Sequence, residues 1–308
     1  MFDYHDDSDR FGADTWEKAE GELSALALQF LFNRADRQAK DIDLLFAGDL
    51  QNQCVASAHG MLPFGIPHIG LYGACSTATE GLVLASLALA NHAVHRCAVV
   101  TSSHNCAAER QFRLPLEYGG QRTPTAQWTA TAAGAFLLEK EESLQGKKPA
   151  AGVEAVMAGK MVDSGIKDAA NMGAAMAPAA ADSILSFFAE RKKEPKEYDA
   201  VVTGDLGYEG SRRLLSLLAE NGLDLGEKHR DCGCMLYDPE KQDVHAGASG
   251  CGCSAAVLAA YFLPALHEGR MKKILFLSTG ALMSPSSVEQ GESIFGIAPA
   301  IELSSVAG

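Results

Sequence analysis

The chain has 308 residues, 47% hydrophobic and 21% charged, which suits a globular protein with a sizeable core. Lysine and arginine number 26 against 39 aspartates and glutamates; the net charge of −13 argues against nucleic acid as a partner, because phosphate binding needs a basic face. No apolar run reaches the ~18–20 uncharged residues that span a bilayer.

In chain order, the acidic start Met1-Phe2-Asp3-Tyr4-His5-Asp6-Asp7 is the opposite of a secretory leader, so a cytosolic face is expected. The first predicted helix runs from Thr15 to Ala35, with Asp14 and Glu17 as a capping pair. A short apolar strand follows within D-I-D-L-L-F-A-G-D-L, residues 41–50. The turn Gly73-Ala74-Cys75-Ser76 then sets Cys75 at the start of a helix that is apolar on nearly every face, Thr77 to about Asn91. Backbone N–H groups at a helix start favour negative charge, so a thiol there leans toward thiolate. That geometry serves either a nucleophile or an anion pocket. Strands are expected at Cys97–Thr101, 131–139 and 152–160, the last two joined by the charged linker Glu139–Ala151. Helices fit 171–191, 209–221 and 254–268, and a strand fits Ile274–Ser278.

Two strings recur in the same order. E-Y-D-A-V-V-T-G-D-L at 197–206 matches residues 41–50, and Cys253-Ser254 opens an apolar helix as Cys75-Ser76 does. The chain reads as a tandem duplication with halves 1–145 and 146–308. Alternating strands and helices imply parallel-rich sheets. Helices apolar all round must be buried on all sides, which places 77–91 and 254–268 between two sheets. The fold expected is α/β in five layers, α-β-α-β-α. The small-residue run Met172–Asp182 is expected to pack tightly, against a twin subunit in a homodimer. The eight cysteines include two C-x-C pairs, Cys232/Cys234 and Cys251/Cys253, whose spacing is short for a zinc knuckle. Buried small hydrophobes are expected instead.

A duplicated fold with Cys at a central helix start looks like the thiolase superfamily. The longer strings are Ser102-Ser103-His104-Asn105, Ala108-Glu109-Arg110-Gln111-Phe112-Arg113 and Glu117-Tyr118-Gly119-Gly120-Gln121. With Asn171-Met172-Gly173, Ala175–Asp182, Asp231-Cys232-Gly233 and Gly250-Cys251, they resemble the stage V sporulation protein AD family. The likeness runs from Asp14 to Pro285. It implies a non-catalytic protein that binds dipicolinic acid (pyridine-2,6-dicarboxylate), with calcium, for uptake into the developing spore. It also implies a place at the cytoplasmic face of the forespore inner membrane, beside the integral stage V sporulation A proteins. That family carries an N-terminal segment with the first strand of the first sheet. Either this chain starts further upstream or the first half lacks that edge strand.

The alternative is a Cys75-dependent acyltransferase or condensing enzyme resembling ketoacyl synthase III. That pattern places a His after the strand that here ends Thr203-Gly204-Asp205, and an Asn where this chain has Cys251-Gly252. Neither is present, and Asp205 beside a thiolate opposes its formation. His104 or His245 would have to serve as base, and His229 is a third candidate to touch ligand. A planar dicarboxylate calls for cationic forks and polar donors. Cys75, His104, Asn105, Arg110, Arg113, Tyr118, Gln121 and Asp205 are the candidates. Alternatively Arg110 and Arg113 pair with Glu109 and Glu117 on a solvated face. Calcium entering with the ligand would look to Asp49, Asp163 or Asp205 for oxygens; no resident metal or cofactor is expected.

Overall fold

The computed structural model describes residues 1–112, 120–144 and 146–306. In the first half, α1 (Trp16–Ala35) leads through β1 (Leu44–Gly48), α2 (Val55–Met61) and β2 (His68–Gly70) to α3 (Thr77–Ala90). Then come β3 (Arg96–Ser103), α4 (Asn105–Phe112), the short β4 (Trp128–Thr129) and β5 (Ala132–Glu139). The second half opens with β6 (Gly152–Met157), β7 (Val162–Asp163), α5 (Met172–Arg191), β8 (Ala200–Thr203), α6 (Gly207–Glu220) and β9 (His229–Asp231). It continues with α7 (Cys232–Met235), β10 (Ala248–Ser249), α8 (Cys251–Val257), a π-helical turn (Leu258–Phe262) and α9 (Leu263–His267). β11 (Lys273–Leu277), β12 (Gly280–Leu282), α10 (Pro285–Glu289), β13 (Phe295–Ile297) and β14 (Ala300–Ser304) close it.

The cap of α1 is Thr15, whose hydroxyl accepts the Lys18 N–H, rather than Asp14. The helix expected at 254–268 starts at Cys251 and widens into its π turn just ahead of Pro264. Proline brings no N–H to the ladder and crowds the preceding turn, so the helix loosens there.

The first sheet has the order β2-β1-β3-β5, with β5 antiparallel to β3. The second has the order β6-β14-β11-β8-β9. The repeat pairs β1 with β8, β2 with β9, β3 with β11 and β5 with β14. Among the described residues β6 has no counterpart in the first sheet.

Three apolar clusters hold the layers. Leu28 and Phe32 of α1 pack on Leu45 and Val100 of the first sheet. Met176 and Ile184 of α5 and Leu214 of α6 pack on Val201 and Leu275 of the second. Between the sheets, Leu82 of α3 and Val257 of α8 join Val99, Phe276 and Ile301. The five-layer thiolase-like arrangement is therefore observed, with both Cys-Ser helix starts in the middle. The small face of α5 is used inside the chain. It packs on α6 and β13, and a Cβ on Gly173 would lie 2.5 Å from the Leu206 carbonyl oxygen. By length and composition α5 is apolar enough to cross a bilayer, but most of it is buried within the fold.

Candidate functional site

Three turns converge at the centre of the molecule. The turn before α3 carries Ala74 at φ 52° and then Cys75; the end of β8 carries Gly204 and Asp205; the end of β10 carries Ser249 and Gly250, with Gly250 at φ 111°. The Cys75 Sγ lies 3.6 Å from the Ser249 hydroxyl. Ser249 Oγ donates to Asp205 Oδ2 at 3.2 Å, and the Gly250 N–H donates to the same oxygen at 2.8 Å. The Thr279 hydroxyl donates to Asp205 Oδ1 at 2.8 Å.

Electrostatics here run against the expectation for a thiol at a helix start. Burial pushes the Cys75 thiol well above its ordinary range, and the Asp205 carboxylate pushes it further. Desolvation of the charged form outweighs the helix start. Cys75 is held as a neutral thiol, which corrects the thiolate expectation. Asp205 is itself pushed up to about 7 by burial, against the pull of its donors.

Leu50, Ala108, Cys251 and Phe112 pack around Cys75. Cys251 Sγ donates to the Ser102 carbonyl at 3.0 Å. Asn52 and Gln111 exchange two hydrogen bonds, at 3.0 and 2.9 Å, tying the end of α4 to the loop after β1. Those segments carry Phe112 and Leu50, so the apolar wall is latched from outside.

The positions of the ketoacyl synthase III partners are closed by packing. A Cβ on Gly204 would lie 2.8 Å from Ser278 Cα. A Cβ on Gly252 would lie 2.1 Å from the Ala132 carbonyl oxygen and 2.7 Å from the Ser103 nitrogen. The colliding atoms are backbone, which cannot yield cheaply.

Among the described residues, Cys75 and Asp205 are the only predicted ones brought together by the contacts above. His104 is buried, but its Nε2 sits 2.6 Å from the Asp9 carbonyl oxygen and its Nδ1 accepts the Ala107 N–H. Asn105 donates its side-chain N–H to the Thr129 carbonyl at 3.0 Å. Arg110 is exposed, pairs with Glu17 and lies over the Trp16 ring. It belongs to a solvated face, as one reading held, but with Glu17 in place of Glu109. His245 bonds the Thr123 carbonyl and pairs with Asp243, while His229 bonds Thr203. Gln121 is exposed. Arg113 and Tyr118 lie outside the described residues.

Asp49, Asp163 and Asp205 are not gathered: no metal-holding group of His, Cys, Asp or Glu occurs among the described residues. Asp49 accepts the Gln51 and Ser57 N–H groups at 2.8 and 2.7 Å, and Asp163 accepts Gly165 N–H and the Ser293 hydroxyl. The cysteines are all free thiols; Cys232, Cys251 and Cys253 are fully buried.

Ser249 and Thr279 escaped the sequence reading. The glycine-rich run Gly247–Gly250 was the available signal for Ser249, because its strained turn aims the next groups at Asp205.

The stage V sporulation protein AD family model matches residues 1–304. The chain belongs to this family. It is 40% identical over 299 residues to Stage V sporulation protein AD of Bacillus subtilis (strain 168), covering 97% of this chain and 86% of that one. Among solved structures, 3-oxoacyl-[acyl-carrier-protein] synthase III from Aquifex aeolicus VF5 is similar at TM-score 0.54 and 12% identity, covering 91% of this chain and 83% of that one. Cerulenin-bound OleA of Xanthomonas campestris is similar at TM-score 0.59 and 14% identity, covering 92% and 81%. These two likenesses establish the thiolase-like fold and carry nothing about chemistry.

Proposed function

We propose that this chain is a non-catalytic receptor for dipicolinic acid, using the Cys75 pocket, and that it serves uptake of dipicolinate with calcium into the spore. Its place in this reading is the cytoplasmic face of the forespore inner membrane, beside the integral stage V sporulation A proteins. The choice of ligand rests on what the resemblance to this family implies. The observation that carries the non-catalytic half is the pair Gly204 and Gly252, where backbone stands 2.8 and 2.1 Å from any added Cβ. A condensing site needs a base and an oxyanion donor at the nucleophile; Gly204 and Gly252 carry none, Asp205 opposes a thiolate, and the Cys251 Sγ is spent on the Ser102 carbonyl.

The groups around Cys75 are of the kinds that a planar ligand calls for. Leu50, Ala108 and Phe112 give apolar faces, while the Cys75 thiol and Ser249 hydroxyl give polar edges. Asp205 repels a bare carboxylate in its charged form, so a calcium-bound or protonated ligand is favoured there. Arg113 follows Phe112 directly in sequence and is the cation assigned to the ligand's second carboxylate.

Two measurements test this reading. Dipicolinate, with and without calcium, should raise the melting temperature of the purified protein; no shift under either condition contradicts the receptor. Incubation with acyl-CoA should leave the intact mass unchanged. An acyl adduct lost in Cys75→Ala would establish the condensing enzyme instead.

A further inference from the structure

At the end of the second sheet opposite Cys75, three cations meet one carboxylate. Glu302 of β14 is fully buried. Its Oε2 accepts from Arg191 Nε at 3.2 Å, and its Oε1 lies 3.3 Å from the Nζ of both Lys193 and Lys273. Lys273 opens β11, whereas Thr279 of the Cys75 site follows that strand. The Tyr198 ring lies 6.0 Å from both ammonium groups.

The first half holds the same tie with one cation fewer. In the register that sets residues 41–50 against 197–206, the left-handed caps Asp36 of α1 and Lys192 of α5 coincide. Arg37 then matches Lys193. Arg96 matches Lys273, because Asp43 accepts the His95 and Arg96 N–H groups as Asp199 accepts those of Lys272 and Lys273. Arg37 and Arg96 both meet Glu139 of β5. Two cations on one carboxylate therefore suffice to tie the helix end to the sheet.

The second half adds to that minimum. Arg191 stands where the first half has Ala35, Lys192 where it has Asp36, and Tyr198 where it has Ile42. Tyr198 and Ile42 are both buried, but the Tyr198 hydroxyl has no hydrogen-bond partner in good geometry. A buried polar group of that kind exceeds what packing asks for. Three positive charges share the single negative charge of Glu302. Glu154, the next acid near Lys273, also accepts the Ser304 hydroxyl. The side chains of Arg191, Lys193 and Lys273 are 38%, 21% and 27% exposed, so their spare donors reach solvent. A tetrahedral phosphate can meet three such cations from different directions, which the two oxygens of a planar carboxylate cannot.

We propose that Arg191, Lys193 and Lys273 form a second ligand site, which takes a phosphate-bearing anion. This site stands apart from the Cys75 pocket and does not rest on the receptor reading.

Two probes test it on the 308-residue chain. Thermal unfolding is compared in sodium phosphate and in sodium chloride of equal ionic strength. Flotation is compared with vesicles of phosphatidylglycerol and of phosphatidylcholine. A higher melting temperature in phosphate assigns a free anion; flotation with phosphatidylglycerol alone assigns a lipid headgroup. Arg191→Ala gives the second half the first half's residue and leaves both lysines on Glu302. It should weaken whichever response is seen by about threefold or more, as loss of a charge-assisted contact does. Lys192→Asp, again the first half's residue and at an exposed cap, should act in the same direction and serves if Arg191→Ala does not fold. No response to either probe overturns the proposal, and so does a response that both variants keep to within threefold.

Discussion

The Cys75 thiol lies 3.6 Å from the Ser249 hydroxyl, and that hydroxyl gives its proton to Asp205. The relay points away from the sulfur: serine is committed to the carboxylate, and the carboxylate's charge opposes a thiolate. A thiol-activating triad has the same polarity but places a basic imidazole, not a hydroxyl, beside the sulfur to take its proton.

Asp205→Asn should therefore make Cys75 more reactive. The amide oxygen can keep the Gly250 N–H while the charge is lost. Burial remains, so the thiol stays above its ordinary range, but one pKa unit less is about a tenfold gain in thiolate. Iodoacetamide rates at pH 8, with the modified site identified by mass, should rise by about that factor. An unchanged rate would remove Asp205 from the electrostatics of the sulfur.

Stability should fall as pH rises through the neutral range. Burial raises several carboxyls in the folded chain, among them Asp231 to about 6, Asp205 to about 7 and Glu20 to about 8, with Asp49 and Glu80 raised as well. Unfolded, such groups titrate near 4. The folded state thus binds more protons between about pH 4 and 8, and what these groups contribute is lost as pH rises through their folded values. Glu20 accepts from Gln51 Nε2 at 2.6 Å and from the Ser102 hydroxyl at 3.0 Å, and nearby Asp49 raises it further. Melting temperatures at pH 5.5 and 8.5 should differ, the lower pH being more stable, and Glu20→Gln should shrink the gap. A gap unaffected by that variant would place the titration elsewhere.

Gly252→Ala tests the closed partner position. The new methyl would meet backbone of β5 and β3 inside the central layer. Overpacking of this kind costs about 3 kcal/mol or more when backbone must move. Urea unfolding should report it, and a loss below about 1 kcal/mol would mean that the space can open.

Arg110→Ala should do little. The Arg110–Glu17 pair is partly exposed, and such pairs contribute about 0–1 kcal/mol. Stability should drop by no more than that, and dipicolinate response should be unchanged. Loss of the response would return Arg110 to the ligand.

The sequence carried the architecture well because its signals were local. All-round apolar character at 77–91 and 254–268 forced burial between sheets, and the Gly-Asp-Leu repeat aligned β1 with β8. Position 205 was legible for the same reason, since it follows a strand end beside the second Cys-Ser helix. What failed was competition between nearby partners. Arg110 sits three residues before Arg113 and looked like half of a fork, but α1 presents Glu17 and Trp16 to it across the tertiary fold. His104 follows β3 as a functional loop residue would, yet the N-terminal segment reaches its ring through Asp9. The neutral state of Cys75 was legible only through Asp205; burial, the larger cause, was not.

Calorimetric titration of dipicolinate into the protein, alongside Cys75→Ala, addresses the receptor claim most directly, because the reading sets that thiol against the ligand. One saturable site per chain, weakened at least tenfold in Cys75→Ala, is the result expected. Binding unchanged in that variant, or no heat in the unmodified protein, would contradict it.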